Sequence, residues 1–134
     1  MANNGGFEEF EKRVMEKLLE GEDNVFKILR QQYEKASVKS RKLSGTGFFT
    51  VFEVPDDVIK LDSLRSFQFG DIIGSMDGVN DGVGFVLFVK NGVIDFLEGY
   101  TYGNEKFPET VLNYQLSFDS GQIRNCDKIR AKWQ

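Results

Sequence analysis

Apolar residues at three- and four-residue steps open the chain: Phe7, Phe10, Val14, Met15, Leu18 and Leu19. That spacing draws one stripe along an amphipathic helix over Phe7–Leu19. Gly21 is placed to cap its end, and Asp23 to cap the start of a second helix. This second helix, Asn24–Lys35, carries the stripe Val25, Phe26, Ile28, Leu29 and Tyr33. From Ser37 the period falls to two, the repeat of a strand. Strands are expected over Val38–Leu43, Phe48–Val54, Phe67–Ile73 and Val111–Phe118, with Pro55 ending the second. Residues 56–63 and 102–110 read as connections.

Asn91-Gly92 is the preferred pair for a two-residue type I′ turn, so Val83–Lys90 and Val93–Thr101 read as a hairpin. Strict alternation through it pairs Val89 with Ile94, Leu87 with Phe96, Phe85 with Glu98 and Val83 with Tyr100. One face then shows those eight residues. The other shows Gly84, Val86, Phe88, Val93, Asp95, Leu97 and Gly99. Both faces are apolar enough to need cover, unlike a sheet with one wet side. Two helices shield one; a loop, a curled sheet or another protein chain is left to shield the other. The expected fold class is α+β: two N-terminal helices packed on a mainly antiparallel five- to six-stranded sheet. Residues 1–119 form one domain, and 120–134 a basic C-terminal tail expected to be loosely ordered.

Composition narrows the chemistry. The 134 residues include 13 phenylalanines, one cysteine and no histidine. Many phenylalanines suit an aromatic core. A lone Cys126 leaves no internal disulfide and no cysteine metal cluster. Without histidine, Ser-His-Asp and Cys-His mechanisms are excluded, and so is the usual switch near neutral pH. An all-oxygen site for a hard cation stays open, yet no metal site is assigned and no cofactor is implied. Charge is uneven: residues 45–119 hold 12 acidic and 4 basic side chains, and residues 120–134 hold 1 and 4. An acidic body disfavours nucleic acid, whose phosphates need lysine and arginine, and suits a basic protein partner. No apolar run is long enough to span a bilayer. The polar start Met1-Ala2-Asn3-Asn4-Gly5-Gly6 lacks a signal-peptide core, so the cytosol is the expected location.

Few residues invite a functional reading. Asp71 and Glu98 each interrupt an apolar stripe, which marks them as candidate perturbed carboxylates. Partner contact is expected at Val86, Phe88 and Leu97 on the second hairpin face, with Tyr100 and Tyr102 as aromatic anchors beside Phe107. Gly45-Thr46-Gly47 precedes a strand, whereas a phosphate loop follows one, so turn geometry accounts for it. No catalytic residue is assigned.

Three stretches carry a resemblance: Gly47-Phe48-Phe49-Thr50-Val51-Phe52-Glu53-Val54-Pro55, Gly82-Val83-Gly84-Phe85-Val86-Leu87-Phe88-Val89 and Leu97-Glu98-Gly99-Tyr100-Thr101-Tyr102. Over residues 23–118 the chain resembles a widespread family of small uncharacterised bacterial proteins. The resemblance implies a bacterial, cytosolic origin and carries over no activity. The functional expectation is a non-enzymatic protein-binding module, of the immunity-protein or antitoxin type, that recognises a basic protein. A structural or regulatory homo-oligomer is one alternative; a small-ligand-binding or carboxylate-based enzyme domain is another.

Overall fold

Two short helices form where the stripes fall. Helix α1 (Phe7–Leu18) has Glu8 and Glu9 in its first turn and Lys17 in its last, each opposing the helix dipole. Helix α2 (Asn24–Lys35) starts where the Asp23 carboxylate accepts the Val25 N–H at 3.1 Å. Leu19, not Gly21, is the C-cap of α1; Gly21 lies in the linker at φ 133°. The computed structural model describes residues 6–133, so most of the polar start lies outside the described residues.

Among the described residues seven strands follow: β1 (Ser37–Leu43), β2 (Gly47–Glu53), β3 (Phe67–Phe69), β4 (Ile72–Met76), β5 (Val79–Lys90), β6 (Val93–Thr101) and β7 (Tyr114–Phe118). They form one antiparallel sheet in the order β1-β2-β6-β5-β4-β7, and β3 also pairs with β5. The strand expected over Phe67–Ile73 is therefore two strands, lying along opposite halves of the long β5. The break falls at Gly70-Asp71. A Cβ on Gly70 would stand 1.8 Å from the Phe85 carbonyl oxygen, so only glycine admits the chain there.

The hairpin turn forms as expected, with Asn91 at φ 53° and Gly92 at φ 80°. The pairing beyond it differs. Val89 faces Ile94, but then Phe88 faces Phe96, Leu87 faces Leu97, Val86 faces Glu98 and Gly84 faces Tyr100. Asp95 is the extra residue of a β-bulge, and one extra residue flips every later side chain to the opposite face. Leu97 and Gly99 thus join Val83, Phe85 and Leu87 under the helices. Phe96, Glu98 and Tyr100 move to the other side.

The helix-side core is aromatic. The ring of Phe10 packs against those of Phe48, Phe85, Phe107 and Tyr114, with centroids 4.9 to 6.3 Å apart. Gly99 lets Phe48 lie across β6: a Cβ there would stand 2.1 Å from the Phe48 ring. Gln32 is fully buried in α2 and pins the hairpin, donating to Ile59 O and Gly92 O and accepting from Ile94 N at 2.8 to 2.9 Å.

The C-terminal segment, expected as a tail, is folded onto the domain. Helix α3 (Cys126–Arg130) and the turn Ala131–Trp133 pack on the helix side, with Ile129 and Trp133 buried. Trp133 meets the Phe26 ring edge-on at 5.1 Å. The buried side chains of this segment, rather than its basic ones, decide its order. No described helix is long and apolar enough to cross a membrane.

Candidate functional site

The three α-helices among the described residues all pack on one side of the sheet. The opposite side carries side chains from three neighbouring central strands. Phe49 and Val51 come from β2, Phe96, Glu98 and Tyr100 from β6, and Val86 and Phe88 from β5. All are partly exposed. Phe88 and Phe96 are stacked, with centroids 4.2 Å apart and planes 14° apart, and Phe96 meets Phe49 at 6.2 Å. This row of rings crosses three strands. Around it the face turns mostly polar, with Lys42 on β1, Gln68 on β3, Ser75 on β4 and Gln115 and Ser117 on β7, while the exposed Ile73 of β4 is its one apolar interruption among these positions.

Glycine shapes one end of the row. A Cβ on Gly84 would stand 2.6 Å from Tyr100 Cζ and 2.7 Å from the Tyr102 hydroxyl. The absent side chain is the space into which the two tyrosines fold, meeting edge-on at 5.5 Å. Burial, and after it the neighbouring Tyr100, raises the Tyr102 phenol above its ordinary pKa. At the other end, Phe88, Gln68, Lys90 and Asp95 border a shallow hollow of about 350 Å³.

Of the residues expected to contact a partner, Val86, Phe88, Tyr100 and Tyr102 share this face or its rim. Leu97 does not: it is fully buried against the helices, because the bulge at Asp95 reverses its direction. Phe107 also leaves the tyrosines and packs in the core. Phe49, Val51 and Phe96 belong to the face although sequence reasoning missed them there. The signal available was the three-residue step from Ile94 to Leu97, which breaks strict alternation.

The two candidate carboxylates are separated by the sheet. Asp71 is 2% exposed and is gripped by Arg124 from the helix side. Glu98 stands on the helix-free side, paired laterally with Phe49 and Val86. A third carboxylate, Glu11 of α1, is also buried, held by Arg41 at 2.8 and 3.0 Å and by the Thr50 hydroxyl. It borders a hollow of about 750 Å³ that Tyr33 and Arg30 also line. A wider hollow of about 920 Å³ opens between α1 and the β4–β7 edge, lined by Glu9, Arg13, Ser75, Asn113 and Gln115 among others. Neither hollow touches the aromatic row. Among the described residues no three acidic or sulfur side chains gather to hold a metal ion. No family model, curated protein or solved structure matches this chain.

Proposed function

We propose that this chain is a non-enzymatic protein-binding domain that docks its partner on the helix-free face of the sheet. The observation carrying this reading is the aromatic row Phe49–Phe96–Phe88, with Val51, Val86 and Tyr100 beside it, uncovered by any described element. A sheet that faces only water alternates cleanly between apolar and polar sides. Contiguous apolar surface with a polar rim is the usual mark of an interaction site, and aromatic residues are enriched at the core of such sites. The sheet holds the row rigidly, so little ordering entropy opposes docking.

A small acidic bacterial domain that neutralises a basic toxin in the cytosol is the specific form this module takes in our reading. Its acidic middle section, residues 45–119, would speed encounter with a basic partner. The ligand-binding and carboxylate-enzyme alternative draws no support from Asp71, whose oxygens are occupied by Arg124.

The test is affinity capture from the source lysate with wild type and Phe88→Ser run side by side. Phe88 packs on Phe96 outside the helix-side core, so the serine variant should unfold at a lower midpoint yet stay folded at the capture temperature, which its unfolding transition checks. A protein captured stoichiometrically by the wild type and lost from the variant is the expected result. Equal recovery on both would dismiss this face as the docking site.

A further inference from the structure

Glu98 occupies the middle of the proposed docking face, and its surroundings are apolar on every side. Phe49 and Val86 are its lateral partners on the neighbouring strands. Phe96 and Tyr100 precede and follow it on its own face of β6. The other carboxylates in apolar surroundings each have an arginine from this chain: Asp71 has Arg124 and Glu11 has Arg41. Glu98 makes no ion pair with any described residue.

We propose that Glu98 is the anchor for an arginine or lysine side chain of the docked protein, making this a recognition surface for a cation set among apolar residues. The proposal rests on the docking reading above and adds the chemistry of the partner. Covering the face takes Glu98 out of water, and an unpaired buried carboxylate costs several kcal/mol, so a neutral apolar partner would be rejected. A guanidinium placed over Glu98 relieves that cost. The same group would lie against the Phe49, Phe96 and Tyr100 rings, whose negative faces attract a cation. Arginine fits better than lysine because it pairs bidentately with a carboxylate and stacks flat on rings. A second copy of this chain is the poorer occupant. In a two-fold contact centred on the row, the Glu98 carboxylates of the two copies approach each other.

The experiment pans a phage library of random linear dodecapeptides on the wild-type domain, with subtraction on an unrelated acidic protein. Enriched peptides should carry an arginine or lysine flanked by apolar residues. The best one is synthesised with its basic residue intact and with citrulline, a neutral isostere of arginine, in its place. Its affinity for the wild type should fall at least tenfold on Glu98→Gln, and at least tenfold with citrulline. The two changes together should cost little more than either alone, as expected for groups in direct contact. Full affinity for Glu98→Gln with loss on Phe88→Ser overturns the anchor and leaves the docking face standing. Full affinity for both variants overturns both readings. Absence of any peptide enriched over that background does the same. Phe88-dependent doubling of the mass in light scattering would give the face to a second copy and overturn the cation anchor.

Discussion

Arg124 grips Asp71 with two parallel hydrogen bonds, Nε to Oδ2 and Nη2 to Oδ1, both 2.8 Å, in a setting that leaves the side chains 6% and 2% exposed. The same guanidinium donates to Leu18 O and Glu20 O at the end of α1, and lies 4.4 Å from the centroid of the Phe26 ring. One side chain thereby ties the C-terminal segment to the first helix and to the break between β3 and β4. Removing one partner strands the other charge in a dry site, which typically costs about 3–5 kcal/mol. Asp71→Ala should lower stability by that amount in urea unfolding. Amide exchange across Cys126–Arg130 should accelerate more than that of β5 and β6. A loss below about 1 kcal/mol would mean the pair is better solvated than its burial implies.

Gln32 plays the corresponding part for α2. Its side-chain amide is fully buried and meets two carbonyls and one N–H around the hairpin turn. Leucine at this site keeps the volume and removes the bonds. Gly92 O retains the Leu61 N–H at 3.0 Å, but the Ile94 N–H loses its side-chain acceptor. An orphaned buried group costs about 1–3 kcal/mol, so Gln32→Leu should destabilise by that much in denaturant unfolding. Exchange protection at Ile94 should drop with it.

The helices and the turn were legible in the sequence because each depends on local rules: a stripe of period 3.6, an aspartate cap, an Asn-Gly pair. What escaped reading depends on residues far apart. The Asp95 bulge inverts Phe96, Leu97, Glu98 and Tyr100 together, and the three-residue step from Ile94 to Leu97 that marks it competes with the equally apolar two-residue step from Ile94 to Phe96. Expected among the contact residues, Leu97 became core; placed with the core stripe, Phe96 became surface. The C-terminal segment read as a basic tail because the acid that orders Arg124 lies 53 residues earlier. Likewise the split at Gly70-Asp71 answers to the close approach of Phe85, which only the folded sheet reveals.

Tyr33 gives a pH-dependent signature. Its phenol pKa is pushed up to about 12, first by burial and then by the negative fields of Glu11 and Glu16, with Arg41 opposing. The folded state therefore holds this proton more tightly than the unfolded chain, whose tyrosine ionises near 10. Between those values the unfolded chain has fewer protons, so stability falls as pH rises. The contribution is fully present below pH 10 and is lost as pH climbs toward 12. Unfolding free energies measured from pH 9 to 11 should decline less steeply in Tyr33→Phe than in the wild type. Parallel slopes would place the Tyr33 hydroxyl in contact with water.

Gly99 and Gly84 separate stability from docking, because they open onto opposite faces of the sheet. A Cβ on Gly99 would press within 2.1 Å of the Phe48 ring, which is 1% exposed and held by Phe7, Phe10 and Phe107. That ring has nowhere to go, and overpacking of this kind costs about 1–3 kcal/mol. Gly99→Ala should lower the thermal midpoint while leaving the outer aromatic row in place. A Cβ on Gly84 meets instead the ends of Tyr100 and Tyr102, side chains that can swing outward into water. Gly84→Ala should leave the midpoint nearly unchanged and displace both tyrosines, raising their exposure to acrylamide quenching of tyrosine fluorescence. If the face docks a partner as proposed, affinity should fall in Gly84→Ala and survive in Gly99→Ala below its unfolding temperature. The reverse order of effects would place the binding surface on the helix side.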